Sequence, residues 1–424
     1  MPGIIAGAQT ELRPVGFGEM DGRVPFLLAR LSLVTLVEFI VFGAWFATLG
    51  LVLASNGLDS IIGPAYLISA IAAILSPLFL GALGDRYLAP RNVLAIAHAV
   101  GAVLLALLPH AIESHNATLT LALIFVYMCS FQPTLGLINS ISLTLLGENQ
   151  KHFPYVRLFG PLGWVVAGLA IGWLGLSAST GLFYFAAIFA VITAMSAFTL
   201  PRTPPPAKGA RFSLGDLIGV KALVLFRNRT FAVLMICTLL TSISLGVYNS
   251  FASPYLAVLG IDNVAGVLAL GPISEVVFIG TIPWVLARIG MKWALFFGML
   301  MWSVRFALLL FAAKGGMPYA IGAVALHGIC NDYFIVVAAM LIARIAPAEL
   351  AAQAQGWLIL MVSGFGAAIG SAGSGVIYGA YVIPAMASHG ASAWSPMWVG
   401  PIGMAIVTCL LWLALYRPEQ PKPA

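Results

Sequence analysis

Long apolar runs, each close to the length that crosses a lipid bilayer, follow one another along almost the whole chain. A membrane-spanning helix needs roughly 20 mostly apolar residues, and short polar or Gly- and Pro-containing breaks separate the runs here. Only helices and closed barrels satisfy the backbone in lipid, and the runs lack the two-residue alternation of barrel strands. The sequence therefore predicts an all-α polytopic membrane protein. Its twelve predicted spans lie near residues 31–54, 61–84, 92–110, 118–146, 156–175, 180–200, 230–258, 264–287, 292–313, 318–343, 353–380 and 394–416.

Charged residues are scarce throughout the chain. Asp, Glu, Lys and Arg make up 8% of the 424 residues, against about 25% in a typical soluble domain. Such a surface faces lipid, which excludes a soluble domain, a disordered chain and a nucleic-acid binder. The four cysteines lie far apart in apolar spans without CxxC spacing or clustered histidines, so we expect core residues, no metal and no cofactor. They are Cys129, Cys237, Cys330 and Cys409.

The Lys and Arg side chains fall almost entirely on one side of the predicted membrane protein. Of the 20 cations, all except Lys314 and Arg305 lie in or beside loops of that side. Positive residues concentrate in cytoplasmic loops, so both termini are predicted to be cytoplasmic, and topology alone explains the net charge of +6. Residues 1–22 lack the apolar core of a signal peptide, so the first span is expected to target the chain. We expect a multi-pass protein of the bacterial inner membrane.

The longest polar stretch, residues 201–229, divides the chain into six spans plus six. It begins with a proline cluster and continues with apolar residues at a spacing that predicts an amphipathic helix on the cytoplasmic surface. These residues are Leu214, Leu217, Ile218, Ala222 and Leu225. Two bundles that rock about a central site are the layout of many secondary transporters. The predicted units are a cytoplasmic segment 1–30, a six-helix bundle 31–200, a linker 201–229, a second six-helix bundle 230–416 and a cytoplasmic tail 417–424.

The loop after the second span carries a charged motif. Gly81, Asp85, Arg86 and Arg91 have the offsets of the G-x-x-x-D-R-x-x-x-x-R signature, and here the chain resembles the major facilitator superfamily. In that superfamily the Asp and Arg form charge contacts that hold the cytoplasmic gate closed. The alternative is an ordinary loop whose cations only set the topology.

Several short blocks further along resemble the nucleoside:proton symporter family. Pro133-Thr134-Leu135-Gly136-Leu137-Ile138-Asn139 lies in the fourth span, and Phe153-Pro154 with Arg157-Leu158-Phe159-Gly160 leads into the fifth. Ile273-Ser274-Glu275 and Ala354-Gln355-Gly356 continue the pattern in the second half. The resemblance implies proton-driven import of nucleosides by a monomer of the major facilitator fold, with the lipid bilayer, protons and a small-molecule substrate as its partners.

The resemblance also implies a site between the two halves, built by the fifth, seventh, eighth and tenth spans. Four positions keep the residue of the family: Arg157, Asn249, Glu275 and Asp332. Trp164 keeps an aromatic residue, whereas Gly246 and Pro272 replace Gln, Pro161 replaces Thr, and His327 and Asn331 replace aromatics. The implied substrate-binding residues are Arg157, Trp164, Asn249, Glu275, His327, Asn331 and Asp332. Because specificity follows such polar groups, the cargo could also be another small polar solute such as a sugar.

The residues themselves point to Glu275 and Asp332 for proton coupling. Each lies about midway along a predicted span, where a charge costs roughly 2.5–3.5 kcal/mol on insertion scales. An acid that is expensive to keep charged can take up or release a proton as a site opens to either side. The alternative is a structural ion pair, such as Asp332 with Arg157 or Glu275 with Arg305. Arg305 is itself expected to be structural.

Three further polar positions leave alternatives open. His98 is predicted to be a hydrogen-bonded core histidine, because no carboxylate or Cys stands near it at metal-ligand spacing. Glu38 and Trp45 are seven residues apart and share one helix face, which is predicted to point toward the cavity. His327 and Asn331 share a face at a spacing of four.

Glycines repeat along the fifth and eleventh spans, where they allow close helix packing, either static or sliding. The eleventh span carries Gly364, Gly366, Gly370, Gly373, Gly375 and Gly379. An enzyme would need a HExxH motif, a paired-Asp signature or a Ser/His/acid cluster at membrane depth, and the sequence has none of these. A sensor would need a sizeable soluble domain. We therefore predict a transporter, not an enzyme.

Overall fold

Every regular element in the described part of the chain is helical. The structure, a computed structural model, describes residues 23–76, 88–204 and 219–417. The main helices are α1 (Arg23–Gly43), α2 (Leu49–Ser55), α3 (Ile62–Ser76), α4 (Pro90–Glu113), α5 (Ala117–Leu146), α6 (Phe153–Trp173), α7 (Gly181–Ala197), α8 (Arg229–Val258), α9 (Val264–Leu268), α10 (Leu270–Gly315), α11 (Met317–Ile345), α12 (351–389) and α13 (Ser395–Leu415).

The prediction of an all-α membrane protein is confirmed. Among the described residues, seven helical stretches are long and apolar enough to cross a membrane, and two shorter apolar helices cover Asp59–Leu75 and Gly181–Ala197. Three of the seven stretches contain a sharp break. The breaks are a 3₁₀ turn at Gly147–His152, a single residue at Gly290 and a second 3₁₀ turn at Gly390–Trp394.

Gly290 divides α10 at the place where the sequence predicts a tight cytoplasmic loop. Its φ of 71° lies in the left-handed region, which a residue without Cβ adopts at little cost. The indole Nε1 of Trp412 in α13 donates a hydrogen bond to the Lys292 carbonyl just beyond the break, at 2.9 Å. The turn is therefore fixed by a neighbouring helix.

The first predicted span, residues 31–54, is two helices rather than one. α1 already begins at Arg23, and turns over residues 44–48 separate it from α2. The Tyr66 hydroxyl, from α3, donates to the Phe46 carbonyl at 2.7 Å and accepts from the Gly50 amide at 3.3 Å. A side chain from another helix thus satisfies backbone groups that the break leaves unpaired.

The buried apolar core is continuous at one end of the molecule and divided at the other. At the first end a single cluster joins Trp45 and Phe183 to Phe251 and Trp394 from the second half of the chain. At the end that carries the first and last described residues, two clusters are separate. One consists of residues between 28 and 200, and the other of residues between 222 and 416. We call these the sealed end and the divided end.

Hydrogen bonds cross between the halves at the sealed end. The Leu51 amide in α2 donates to Ser253 Oγ in α8 at 3.2 Å, and the Tyr378 hydroxyl in α12 donates to Asp59 Oδ1 at 3.1 Å. α3 also packs along α12, and α6 packs along α9. The two halves therefore meet closely at this end.

The described end of the predicted linker helix is a short 3₁₀ helix, Val220–Arg227, rather than an α-helix. Its Ala222 and Leu225 are buried, as their apolar spacing predicts, whereas Leu214, Leu217 and Ile218 lie outside the described residues. The Ala222 amide donates to Gln353 Oε1 at 3.1 Å. This part of the linker is therefore attached to the start of α12.

Candidate functional site

A cavity of about 350 Å³ lies between the two halves of the chain. This volume is within the range of about 300–1,000 Å³ that is usual for small-molecule sites. Helices α1, α3, α5 and α6 line it from one half, and α8–α12 line it from the other. Its polar and aromatic lining comprises Phe42, Phe46, Thr48, Tyr66, Ser69, Gln132, Trp164, Tyr248, Asn249, Glu275, His327, Asn331, Ser363 and Ser371.

One wall of the cavity is aromatic. Phe42 and Phe46 are one turn apart at the end of α1, with ring centroids 4.5 Å apart, and Trp164 of α6 packs edge-on to Phe42 at 5.2 Å. Gly43 makes this packing possible, because a Cβ there would lie 3.0 Å from the Trp164 Cα. The wall offers flat apolar faces to a planar ligand.

The opposite wall carries one carboxylate held by two neighbours. Asn331 Nδ2 donates to Glu275 Oε1 at 2.7 Å, and His327 Nε2 lies 3.2 Å from the same oxygen. The Glu275 side chain is 23% exposed, so a ligand in the cavity can reach it. Its carboxylate is thus oriented on one side and open on the other.

The hydrogen bonds of this cluster depend on one proton. Asn331 Nδ2 also lies 2.8 Å from His327 Nε2, so an amide that donates to both partners requires a lone pair on Nε2. Nε2 and Glu275 Oε1 then face each other as two acceptors at 3.2 Å. A proton on Nε2 makes that contact favourable but places two donors, the Nε2–H and the Asn331 amide, 2.8 Å apart. The cluster therefore has different best arrangements with and without the proton.

A buried cation stands behind this wall. The Arg305 guanidinium lies 3.5 Å from the centre of the Tyr248 ring, and Tyr248 lines the cavity beside His327. None of the three Arg305 nitrogens has a hydrogen-bond partner among the described residues. Its charge interacts with Glu275 through space rather than through a close ion pair. The ring contact is the main visible stabilisation of this cation.

Asp332 is buried but does not line the cavity. It begins a π-helical turn, Asp332–Val336, and its Oδ2 has no hydrogen-bond partner among the described residues. The Glu275 carboxylate acts on it electrostatically. Among the described residues neither of the alternative ion pairs, Asp332 with Arg157 or Glu275 with Arg305, is formed.

Of the other predicted site residues, some line the cavity and some do not. Arg157 is exposed near the start of α6 and does not line the cavity, whereas Trp164 and Asn249 do. Of the predicted gating residues, only Arg91 is described; its Nη1 donates to the Leu200 carbonyl at 2.6 Å, just beyond the end of α7. Gly81, Asp85 and Arg86 lie outside the described residues.

The prediction that Glu38 and Trp45 point toward the cavity is wrong. Glu38 and Trp45 are both fully buried within the first half, and neither lines the cavity. The cavity face of α1 is formed by Phe42, Gly43 and Phe46 instead. Glu38 lies in α1 and Trp45 in the turns after it, and the packing turns both toward α4 and α5, where Glu38 faces His98 and Trp45 contacts Tyr127.

The sequence profile of the nucleoside H+ symporter family matches residues 26–421. The chain belongs to the nucleoside H+ symporter family. The protein YegT of Escherichia coli K12 is 30% identical over 404 residues, which cover 92% of this chain and 94% of YegT. The nucleoside permease NupG of the same organism is 28% identical over 415 residues, or 92% of this chain and 96% of NupG. The crystal structure of the nucleoside transporter NupG matches with a TM-score of 0.81 at 26% identity, covering 93% of this chain and 100% of NupG.

Membership of the nucleoside H+ symporter family confirms the resemblance drawn from the short sequence blocks. It makes the chain a proton-coupled nucleoside transporter rather than an enzyme, and a multi-pass protein of the cell inner membrane. The match to NupG covers 93% of this chain, so it also assigns the fold to the major facilitator type.

Sequence reasoning missed part of this symporter's cavity. Phe42, Phe46 and Tyr66 are as apolar or aromatic as residues that face lipid, so nothing in their local pattern distinguishes them. A spacing of four between Phe42 and Phe46 is the only signal, and it fits any helix face. His327 and Asn331 share a face as predicted, and both meet Glu275.

Proposed function

We propose that the chain imports nucleosides together with protons by alternating access, and that Glu275 contacts both. One observation carries the proposal. The Glu275 carboxylate, held by Asn331 and His327, opens into a cavity whose opposite wall is aromatic. The proton dependence of its contacts with these two residues gives a physical means of linking protonation to substrate binding.

A nucleoside has two chemical parts that fit this cavity. Its base is a flat ring system that stacks on aromatic side chains, a contact worth about 1–3 kcal/mol in nucleic-acid recognition. Its ribose hydroxyls can donate hydrogen bonds to a carboxylate and to amide oxygens. We infer that the base lies against Phe42 and Trp164, and that the ribose faces Glu275 and Asn249.

The membrane arrangement belongs to the same proposal. Twelve spans are supported by the seven apolar stretches, the two shorter helices and the breaks at residues 147–152, 290 and 390–394. With both termini cytoplasmic, the divided end faces the cytoplasm, and the molecule is in an inward-facing state. The separate cores at that end support two bundles, 31–200 and 230–416, joined by the linker 201–229. We propose that each protein works as a monomer.

The remaining predicted residues have roles that follow from their positions. We propose that Asp332, buried behind the cavity, shares the coupled proton with Glu275 and does not touch the nucleoside. Arg157 near the start of α6 contacts the substrate as it leaves toward the cytoplasm. Gly81, Asp85, Arg86 and Arg91 form the cytoplasmic gate, and the hydrogen bond from Arg91 to Leu200 supports an anchoring role for its side chain.

Another small polar solute, such as a sugar, is the second candidate cargo. Gly246 and Pro272 both line the cavity, where the family pattern has the amide side chain of Gln. These two replacements remove hydrogen-bonding groups, and a site can reject an analogue strongly when such groups are left unpaired. The change alters which solute fits, while the proton-linked cluster is kept.

Uptake of labelled uridine, adenosine and a sugar into cells without their own nucleoside importers tests the proposal. We expect nucleoside uptake to exceed that of empty-vector cells by at least about tenfold, the effect of about 1.4 kcal/mol of transition-state stabilisation, and a protonophore to abolish the excess. Unlabelled nucleoside should compete, and unlabelled sugar should not. Sugar uptake without nucleoside uptake would support the second cargo, and uptake that resists the protonophore would contradict proton coupling.

A further inference from the structure

A second buried acid and histidine face each other outside the cavity. Glu38 of α1 is 0% exposed and His98 of α4 is 2% exposed, and 3.6 Å separates Glu38 Oε1 from His98 Nε2. The two residues are 60 positions apart in the chain, and the packing of the first half brings them together. The proposed nucleoside site does not use either of them.

The pair is poorly satisfied by other groups. Both Glu38 carboxylate oxygens and His98 Nε2 lack a hydrogen-bond partner among the described residues. A buried carboxylate without hydrogen-bond partners is very costly, and the imidazole is the group beside it that can supply a proton to the contact. A purely structural ion pair needs close geometry and further hydrogen bonds to offset its desolvation. Glu38 and His98 have neither in this state.

Few other titratable groups face the pair. α5 contributes the buried Tyr127, whose hydroxyl also lacks a hydrogen bond among the described residues, together with the half-buried Cys129. The titratable side chains on the neighbouring helices α6 and α7 are Tyr155, Arg157 and Tyr184, and all three are exposed. No second charge therefore stands beside Glu38 and His98 in the described part of these helices.

One aromatic layer separates the pair from the cavity. The Phe131 ring lies 5.8 Å from the His98 ring and 4.9 Å from the Phe42 ring, centroid to centroid, and Phe42 lines the cavity. A movement of the Phe42 and Phe131 rings would open the imidazole to cavity water. The pair is thus shielded in this state but close to a water-accessible surface.

We propose that Glu38 and His98 form a second proton-binding site, whose proton exchanges with the cavity during each transport cycle. The site rests on the proposed proton-coupled nucleoside transport and adds one coupled proton to it. The proton binds to His98 Nε2 or Glu38 Oε1 from water when the site is open to one side. It leaves to water when the site opens to the other side, so no further reactant is needed.

Proteoliposomes that contain the full-length protein test the site through its coupling stoichiometry. With the membrane potential clamped at zero, each coupled proton multiplies the limiting nucleoside accumulation by about tenfold per pH unit of gradient. We expect about a hundredfold accumulation for the wild type and about tenfold for Glu38→Gln across one pH unit. Exchange of labelled for unlabelled nucleoside, which needs no net proton movement, should stay near the wild-type rate. Glu38→Asp should recover part of the lost accumulation.

His98→Gln is the companion variant, and His110→Gln is its control, because His110 is exposed on the same helix. We expect His98→Gln to behave like Glu38→Gln, and His110→Gln to behave like the wild type. Wild-type accumulation in Glu38→Gln would overturn the second site. If Glu38→Gln does not fold, His98→Gln tests the second proton site alone. The site is overturned if His98→Gln loses exchange and accumulation to the same extent, or if it loses neither. Failure of exchange in the wild type would instead contradict the proposed function.

Discussion

Glu275→Gln is expected to reduce proton-driven nucleoside uptake at low substrate concentration by at least about a hundredfold. The substitution keeps the shape of the side chain but removes the charge that Asn331 and His327 hold at 2.7 and 3.2 Å. Loss of one partner from a buried, charged hydrogen-bonded pair costs about 2–5 kcal/mol. Initial uptake rates in proteoliposomes over a range of nucleoside concentrations measure the effect.

Asp332→Asn is expected to impair proton coupling while it leaves nucleoside binding nearly unchanged. Asp332 does not line the cavity, so its amide variant is expected to keep nucleoside exchange within about threefold of the wild type, the scale of a change below 1 kcal/mol. Accumulation across one pH unit should fall from about a hundredfold to about tenfold, because the acid that the Glu275 charge acts on can no longer bind a proton. Glu349→Gln, the same kind of change at an exposed acid, serves as the control. Loss of exchange in Asp332→Asn would place this residue in substrate binding instead.

Gly63→Ala is expected to prevent the sealed end from closing. A Cβ on Gly63 of α3 would lie 2.7 Å from the Gly375 Cα and 2.9 Å from the Ser371 carbonyl of α12, both of them backbone atoms that cannot rotate away. Overpacking of this kind costs about 1–3 kcal/mol, and a separation of the two halves relieves it. The state with the sealed end closed, which is inward-facing in the proposed topology, should therefore lose population by about tenfold, and uptake should fall with it.

Labelling from the outside measures this shift. Ser363 lines the cavity and is exposed, so Ser363→Cys in a background without the native cysteines reports access. A membrane-impermeant maleimide should react with it at least about five times faster when Gly63→Ala is added, as a shift of about 1 kcal/mol requires. Gly373→Ala, on the facing helix α12, is the control, because a Cβ at Gly373 meets nothing within 4 Å. Equal labelling in the two glycine variants would contradict the steric argument.

The sequence predicted helix bounds well where the length of an apolar run determines them. It predicted them less well where contacts with another helix determine them. Apolar length alone predicts α4, α5 and α8 within a few residues, because lipid requires a continuous helix of about that length. The break after Gly43 was not predictable from its own residues. It is satisfied by the Tyr66 hydroxyl, which comes from α3 and carries no local signal in the first span.

The contacts of the candidate site are also predictable within one helix and not between helices. The common face of His327 and Asn331 follows from their spacing of four residues, and their contact with Glu275 depends on how α10 and α11 pack. No spacing rule joins Glu38 to His98, which lie on different helices, so a pair that is obvious in the structure is invisible in the sequence. Pairing between helices is therefore the information that sequence patterns lack.

The shared apolar core of the sealed end is also rich in indole rings. Trp45, Trp302, Trp394 and Trp398 belong to this cluster, and each is at most 1% exposed. Separation of the halves would bring water to several of these rings at once, and hydrated indoles emit at longer wavelength. The intrinsic fluorescence of the unmodified protein is therefore a built-in optical reporter of whether its sealed end is open or shut.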